Sequence, residues 1–322
     1  MSVLQPHQRL AQGRRDAEET QVTILLATHN GAAFLVEQLN SLTNQTHTNW
    51  SLLVSDDAST DHTREIVRQF AETWPDRRVT LLRGPGRGSA QNFLSLLRAS
   101  GGADYVAFCD QDDVWLPDKL TRAVGMLQGC VAPALYGSRT IIADRMLTPI
   151  RFSKGLSRAP GFSNALVQNV TGGNTMVLNR AALDVLQPAS LFARRIIAHD
   201  WWCYQMVTGC DGHCVIDAQP TLYYRQHCGN QHGANTGFFA ALSRARGLIN
   251  GRYSTGLTGH LEALASSAEW LSPEARATLA DVRSARGDRC IARVLRGLRT
   301  DVHRQSARET VALRIALALG RA

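Results

Sequence analysis

The 322-residue sequence contains no long apolar segment. A membrane-spanning helix needs about 18 or more consecutive apolar residues, and no run of that length occurs. The first twenty residues carry Arg9, Arg14 and Arg15 but lack the apolar core of a signal peptide. We therefore predict a chain without a transmembrane helix, with a mobile polar tail over residues 1–20. We expect a cytoplasmic location, with peripheral contact to the inner face of the cell membrane.

The cysteines lack the regular spacing of a disulfide framework. There are seven, an odd number, at positions 109, 130, 203, 210, 214, 228 and 290. Free thiols in a reducing compartment explain this pattern better than disulfides. Zinc sites usually combine two CxxC or HxxxH elements, and no such pair occurs between Cys210 and His232. Incidental thiols are therefore the favoured interpretation of that segment.

Positive charge is concentrated near the carboxyl terminus. The net charge is +8, and residues 241–322 contribute fourteen Arg, no Lys and seven acidic residues. Within Arg289–Arg299, Ile291, Val294, Leu295 and Leu298 form one helical stripe opposite three arginines, which is typical of a basic interfacial helix. Packing of this stripe on the catalytic domain or on a second subunit is the alternative. Few aromatic residues and no recognition motif argue against a nucleic-acid partner.

Short apolar runs alternate with helical patterns, which predicts βαβ units around a mostly parallel sheet. The predicted strands are Val22–Ala27, Ser51–Val54, Val79–Leu82 and Tyr105–Phe108, followed by Ala134–Gly137, Thr175–Leu178 and Thr221–Tyr224. Their continuous apolar character indicates helices on both faces of the sheet. We predict a nucleotide-binding half at 21–115, an acceptor-side half at 116–236 and a basic helical region at 237–322.

Polar residues follow the first four predicted strands, where ligands of open α/β sheets bind. The most informative is Asp110-Gln111-Asp112-Asp113, because three carboxylates so close together repel one another unless a cation neutralises them. Carboxylates are preferred ligands of Mg²⁺ and Mn²⁺, whose remaining positions are often filled by substrate phosphates. With Asp56 and Asp57 at the same edge, a metal that holds a diphosphate is favoured over a solvated acidic turn.

Three other segments carry candidate chemistry, each with a structural alternative. The glycine-rich stretch 84–88 lacks the P-loop pattern and could approach a phosphate or simply be a flexible loop. Asp200 stands beside Trp201 and Trp202, which suits a sugar site or an aromatic core segment with a capping Asp. Arg225 could neutralise a leaving diphosphate and His227 could bind the metal, or both could be structural.

In order along the chain, ILLATHNGAAFLVEQLNSL, LLVSDDASTDHT, GSAQNFLSLL, YVAFCDQDDVWLPDKL, TGGNTMVLNRAAL, AHDWW and YRQH resemble glycosyltransferase family 2 over about residues 21–232. The similarity is greatest to rhamnosyltransferase-like members that build bacterial surface polysaccharides. The resemblance implies a GT-A fold, a Mg²⁺ or Mn²⁺ cofactor, and a dTDP- or UDP-sugar donor. It also implies a saccharide or lipid-linked acceptor.

The resemblance also implies site residues. Asp200 matches the catalytic base, and Asp113 and Asp112 match the metal and donor-sugar carboxylates, with Asp113 the favoured direct ligand. His227 matches a further metal or phosphate contact, although Cys228 interrupts the usual continuation of the motif. The residues implied to bind the nucleotide and donor are Thr28, Asn30, Asp57, Gln91, Asp112 and Arg225.

These expectations describe an inverting enzyme that transfers a sugar in a single displacement, with Asp200 removing the acceptor proton. A nucleotidyltransferase would also use a nucleotide and an acidic strand end, but it needs a basic glycine-rich loop after the first strand, and ATHNGAA is neither basic nor rich in glycine. A non-catalytic carbohydrate-binding protein is the other alternative. The joint presence of Asp57, Asp112, Asp113 and Asp200 argues against it.

Overall fold

The computed structural model describes residues 20–74, 78–227, 252–287 and 301–318. The tail over residues 1–19, the expected boundary near 237 and the whole stripe in Arg289–Arg299 lie outside these ranges. Predictions about those segments therefore stay predictions.

The strands are β1 Val22–Thr28, β2 Trp50–Asp56, β3 Val79–Arg83, β4 Tyr105–Cys109, β5 Val114–Trp115, β6 Ala134–Ala143, β7 Pro149–Phe152, β8 Val177–Asn179 and β9 His213–Arg225. The described helices are α1 Leu35–Thr43, α2 Thr63–Glu72, α3 Ser89–Ala99, α4 Lys119–Leu127, α5 Phe162–Ala165, α6 Arg180–Ala189, α7 His199–Gly209, α8 Arg252–Ser266, α9 Pro273–Gly287 and α10 Ala307–Ala318. Short 3₁₀ turns occupy Gly173–Thr175 and Ala268–Trp270.

The strands form one sheet in the order β3-β2-β1-β4-β8-β6-β9-β5, with β7 paired to β6. Strands β1 to β4 are parallel, each crossover being made by a helix, as the alternating pattern predicts. Beyond β4 the sheet is mixed, because β8 runs antiparallel to both β4 and β6. The expectation of a mostly parallel sheet therefore holds for the first half of the chain.

Strand β1 lies at the centre of the sheet, and all seven of its residues are buried. Its side chains alternate between two cores: Leu25 packs with Phe93 and Phe108, whereas Ile24 and Leu26 pack on the opposite face. This burial on both faces explains the unbroken apolar run. Strand β3 departs from that expectation, since it is at the sheet edge and only half-buried.

The carboxyl-terminal helices pack against the sheet domain. Leu257 and Leu261 of α8 are buried in the same core as Trp202 of α7. His260 joins the elements through hydrogen bonds at both ring nitrogens: Nδ1 lies 2.8 Å from Gln205 Oε1, and Nε2 accepts from the Ile197 N–H at 3.2 Å. The helices predicted after residue 237 thus share a core with the first half of the chain. No helix within the described ranges is long and apolar enough to cross a bilayer.

Candidate active site

A cleft of about 670 Å³ opens at the carboxyl ends of β1, β2 and β4. Because parallel strands end at the same edge, the polar segments that follow them converge there. The lining residues are Ala27, Thr28, His29, Asp57, Ala58, Gly86, Gly88, Ser89, Asn92, Phe93, Asp110, Gln111, Asp112, Gly173, Ile197, Ala198, His199, Asp200 and Tyr224. The cleft therefore combines segments from both predicted halves of the chain.

Asp112 and His227 form the clearest pair of metal-ligand groups at this cleft. Nε2 of His227 lies 2.8 Å from Oδ2 of Asp112, although 115 residues separate them in sequence. The His227 ring also packs against Phe34, with 4.6 Å between ring centroids. An imidazole nitrogen and a carboxylate oxygen this close together could both bind one metal ion, although they come from distant parts of the sequence.

Asp110 lines the same cleft, two residues before Asp112. Burial, together with the negative charges of Asp112 and Asp200, raises the pKa of Asp110 to about 8. The opposing influence of Lys119 is smaller. A bound cation would offset this repulsion and favour the ionised carboxylate.

Asp113, expected from the sequence to be the direct metal ligand, does not line the cleft, and this placement favours Asp112 for that role. Its carboxylate is fully buried, accepting from Asn174 Nδ2 at 2.6 Å and from the Arg225 backbone N–H at 3.2 Å. Burial, followed by repulsion from Asp112 and Asp110, raises its pKa well above the ordinary range. The position of Asp113 is that of a support behind the acidic loop.

Lys119, at the start of α4, is buried behind the same loop. Its ammonium donates to the Asn174 carbonyl at 2.9 Å and lies 4.5 Å from the centre of the Trp115 ring. Burial lowers its pKa to about 7, and the nearby acidic groups oppose that effect. The sequence pattern did not single out Lys119, because a lysine in an amphipathic helix is normally at the surface.

Arg225 is buried as well, and its guanidinium joins three segments. Nε donates to the Asp112 carbonyl at 2.9 Å, one terminal nitrogen donates to the Arg145 carbonyl at 2.6 Å, and the other contacts the Glu37 carboxylate. The guanidinium also covers the face of Phe34 at 4.7 Å. Arg225 is not among the cleft-lining residues, so its geometry favours bracing the metal-side loop over direct contact with a diphosphate.

Asp57 organises the glycine-rich loop after β3. Its two carboxylate oxygens accept from the N–H groups of Gly86 at 2.6 Å and Gly88 at 2.9 Å. Both glycines have left-handed backbone angles, with φ of 65° and 83°, which side chains rarely adopt. Thr28 is buried beneath, donating to Asp56 Oδ1 at 3.2 Å. The loop is thus ordered by Asp57 and presents backbone atoms to the cleft.

Asp200 stands in the first turn of α7 and faces the cleft. Oδ2 accepts from the Gly173 N–H at 3.0 Å and Oδ1 from the Trp201 N–H at 2.7 Å. These bonds fix the carboxylate direction while leaving further lone pairs on both oxygens. Gly173 has no room for a side chain, since an added Cβ would come within 2.7 Å of His199 Nε2. The TGGN motif therefore holds Asp200 through Gly173 and Asp113 through Asn174.

The two indoles after Asp200 belong to the core. Trp202 is fully buried, and Trp201 is 6% exposed, with its Nε1 donating to the Ala165 carbonyl at 2.7 Å. Neither lines the cleft. The structural interpretation of these indoles is therefore correct, and the aromatic groups at the cleft are instead Phe93, Tyr224, His29 and His199.

Two other sequence-predicted residues lie outside the cleft lining. Asn30 is exposed and fastens the β1 loop by accepting from the Thr60 N–H at 2.8 Å. Gln91 Nε2 donates to the Ala193 carbonyl at 2.8 Å. By contrast, Gln111 lines the cleft and makes two hydrogen bonds to the backbone of His29 in the same loop. Its Oε1 accepts from the His29 N–H at 2.9 Å, and its Nε2 donates to the His29 carbonyl at 3.0 Å. The sequence pattern did not single out Gln111.

The donor set suits a metal held partly by substrate. The described part of the chain contains no cluster of three or more His, Cys, Asp or Glu side chains around one metal position. Two protein ligands nevertheless fit a hard divalent cation, which is commonly bound by one or two carboxylates plus substrate phosphates. Asp112 and His227 would supply those two groups beside an acidic cleft. The five described cysteines, 109, 130, 203, 210 and 214, are free thiols.

Comparison with known proteins identifies the family. Residues 23–181 match the model of Glycosyl transferase family 2. The chain is also 30% identical over 243 residues to the dTDP-rhamnosyl transferase RfbG of Shigella flexneri, covering 71% of this chain and 80% of that protein. The chain belongs to glycosyltransferase family 2. This glycosyltransferase is also 30% identical over 165 residues to WfgD of Escherichia coli, a UDP-Glc:alpha-D-GlcNAc-diphosphoundecaprenol beta-1,3-glucosyltransferase, covering 51% of this chain and 62% of WfgD.

Solved structures support the fold. S. aureus TarS 1-349 superposes with a TM-score of 0.52 at 15% identity, covering 82% of this chain and 87% of TarS. The mannosyltransferase PcManGT from Pyrobaculum calidifontis, in complex with GDP-Man and Mn2+, gives a TM-score of 0.50 at 20% identity, covering 98% and 94%. The glycosyltransferase therefore has the GT-A fold expected from its sequence.

Proposed function

We propose that this glycosyltransferase is an inverting, metal-dependent enzyme that transfers a sugar from a nucleotide diphosphate donor to an acceptor hydroxyl. The observation that carries the proposal is one cleft lined by both Asp112, paired with His227, and Asp200. Metal-side groups and a candidate base thus face the same space. Membership of glycosyltransferase family 2 argues against the nucleotidyltransferase alternative. A non-catalytic role is tested by the donor hydrolysis and transfer measurements described below.

Asp112 and His227 would hold the divalent cation, and Mg²⁺ or Mn²⁺ would supply charge stabilisation for the departing diphosphate. Thr28, Asp57 and the loop at Gly86 and Gly88 border the region proposed for the nucleotide. Backbone groups of this loop can approach a ligand closely because the glycines lack side chains.

Asp200 would remove the proton from the acceptor hydroxyl as that oxygen attacks the sugar. Its carboxylate is aimed by the Gly173 and Trp201 N–H groups, so little reorientation is needed when the acceptor binds. Its place at a helix amino terminus also favours a negatively charged side chain there. A single displacement of this kind inverts the anomeric configuration.

We propose rhamnose as the favoured sugar, with a dTDP- or UDP-linked donor, in the assembly of a bacterial surface polysaccharide. Support comes from the similarity to RfbG, whose name specifies dTDP-rhamnosyl transfer. WfgD, whose name specifies a diphosphoundecaprenol-linked acceptor, supports a lipid-linked acceptor. A cytoplasmic enzyme in peripheral contact with the inner membrane face would meet such an acceptor.

A donor screen tests the proposal. Thermal unfolding would be followed with dTDP-, UDP- and GDP-sugars, with and without Mn²⁺, because a ligand that binds only the folded state raises the apparent stability. We expect the largest rise with dTDP-rhamnose and Mn²⁺ together, and hydrolysis of that donor only with the metal. Binding without hydrolysis or transfer to any acceptor would favour a non-catalytic carbohydrate-binding protein.

A further inference from the structure

A short surface segment beside the cleft exposes an unusual number of apolar side chains. This rim loop, Ser190–Ala198, connects α6 and α7 and leads directly into Asp200. Leu191 is 57% exposed, Phe192 47% and Ile197 52%. Isolated exposed apolar residues are ordinary, but three within nine residues form a patch of the kind that marks an interaction surface.

The backbone of the rim loop is fixed, and it holds these side chains about half exposed, with the Phe192 ring 6.1 Å from that of Trp270. Ala193 and Ile196 are buried in the main core between the exposed positions. The Ala193 carbonyl accepts from Gln91 Nε2 at 2.8 Å, and the Ile197 N–H donates to His260 Nε2 at 3.2 Å. Turning Phe192 or Ile197 inward would require removing these anchors.

The rim loop is also basic. Arg194 and Arg195 are exposed between the apolar residues, and no acidic residue occurs from Ser190 to Ala198. Glu262 of α8 lies 3.8 Å from Arg195, but both side chains are largely exposed, so this pair neutralises little charge. Apolar residues interleaved with arginines match the boundary between acyl chains and anionic headgroups.

We propose that the rim loop is a membrane-contact surface that binds a bilayer containing anionic phospholipid. Leu191, Phe192 and Ile197 enter the acyl boundary while Arg194 and Arg195 meet lipid phosphates. A stable protein interface buries about 800 Å² per partner, far more than three side chains present, and this favours a lipid surface over a second protein.

The rim loop lies at the edge of the cleft, so a membrane bound there would be close to the proposed active site. Ile197 both belongs to the exposed patch and lines the cleft, three residues before Asp200. A bilayer held by the rim loop would therefore meet the cleft where the acceptor hydroxyl must arrive. The lipid contact itself does not depend on the proposed function; only this delivery of a lipid-linked acceptor rests on it.

Vesicle flotation of the full-length protein tests the contact, with phosphatidylglycerol–phosphatidylcholine vesicles compared with phosphatidylcholine alone at low salt. Two double variants address the rim loop: Leu191→Ser with Phe192→Ser, and Arg194→Gln with Arg195→Gln. We expect each to lower the partition coefficient by at least about tenfold, since each side chain contributes separately to binding. The matched controls are Ile150→Ser with Phe152→Ser on β7, also exposed, and Arg68→Gln with Arg158→Gln, both exposed and outside the basic region 237–322. They should float as the unaltered protein does.

The proposal is overturned if the unaltered protein does not float on anionic vesicles. It is also overturned if both rim-loop variants float to the same extent as the unaltered protein. The second result would assign membrane binding to another segment, such as 289–299. Equal flotation with a loss of self-association would assign the patch to a protein contact. Unchanged thermal unfolding and nucleotide-induced stabilisation verify that the variants are folded. Donor hydrolysis in solution with Mn²⁺ is measured in parallel, so failure of the proposed function is distinguished from failure of this contact.

Discussion

His227 Nε2 and Asp112 Oδ2 lie 2.8 Å apart where Asp112 lines the cleft, and three contacts support this pairing. Arg225 binds the Asp112 carbonyl, Phe34 packs on the His227 ring, and Asp113 accepts from the Arg225 backbone. The imidazole and carboxylate are therefore held together by the end of β9 and the loop after β4. We expect this arrangement to set how tightly a divalent cation binds.

Replacing either member of the pair should remove the metal response. For Asp112→Asn we expect metal affinity to fall by more than about 100-fold, because even groups that merely orient ligands affect affinity by about 10–100-fold. Mn²⁺ titration of donor hydrolysis measures this. The control is Asp211→Asn, an exposed position with φ of 58° where asparagine is well tolerated. An unchanged Mn²⁺ midpoint in Asp112→Asn would eliminate this carboxylate as a ligand.

Arg225→Lys tests the support of the loop that carries Asp112, and leaves the proposed metal ligands Asp112 and His227 unchanged. A lysine ammonium cannot reach the Asp112 carbonyl, the Arg145 carbonyl and Glu37 together, so the loop should loosen. We expect metal affinity to fall by about 10–100-fold, with near-normal turnover at saturating Mn²⁺. Arg122→Lys is the matched control, because Arg122 makes a two-pronged contact with Asp217 away from the cleft. If extra Mn²⁺ failed to restore turnover in Arg225→Lys, Arg225 would have a role beyond bracing.

Asp200→Asn should separate donor binding from chemistry. Loss of a general base typically lowers turnover by about 10²–10⁴-fold, whereas the donor contacts remain. The measurements are kcat for transfer and the nucleotide-sugar shift in unfolding temperature. Asp184→Asn, an exposed change on α6, serves as the control. Transfer at the parent rate by Asp200→Asn would require the base to be sought among other cleft residues.

Gly88→Ala should impair donor use specifically. A side chain at its φ of 83° and ψ of 171° is strained by about 1–3 kcal/mol, and relief of that strain would turn its N–H away from Asp57. We expect KM for the donor to rise by about tenfold or more, since hydrogen bonds to charged groups contribute about 1.5–3 kcal/mol. Gly101→Ala also places a side chain at a positive φ, 58°, but lies away from the cleft lining. Equal KM changes in the two variants would attribute the effect to general destabilisation.

His260 should make stability fall in acid. Burial lowers its pKa to about 3, so between that value and the ordinary 6.5 the unfolded chain binds the extra proton and the folded chain does not. The stabilisation by neutral His260 is complete above pH 6.5 and is lost as pH falls, by at most about 1.4 kcal/mol per pH unit.

Urea unfolding from pH 4 to 7.5 measures this effect as the stability difference between the unaltered protein and His260→Gln. We expect that difference to shrink as pH falls, because only the unaltered protein loses a buried neutral imidazole. His213→Gln, at an exposed position, should follow the parent curve. A constant difference across the range would contradict the assignment of the acid effect to His260.

The sequence by itself determined the parallel half of the sheet and the edge that carries the site. Strand β1 is an unbroken apolar run because both of its faces are buried. The helices that connect the parallel strands show a 3.6-residue apolar period because only one face of each helix is buried. Since parallel strands end at one edge, the sequence also brought Thr28, Asp57 and Asp112 to the same cleft.

Only the tertiary structure decided the roles within that cleft. The adjacent carboxylates Asp112 and Asp113 cannot be told apart by sequence, but their side chains lie on different sides of the loop. Asp112 lines the cleft, whereas Asp113 belongs to a buried network with Asn174. The pairing of Asp112 with His227 depends on where β9 returns to the sheet, which no local pattern encodes. The burial of Lys119 and the outward display of Phe192 have the same origin, because exposure is set by the elements that pack around a residue and not by its neighbours in sequence.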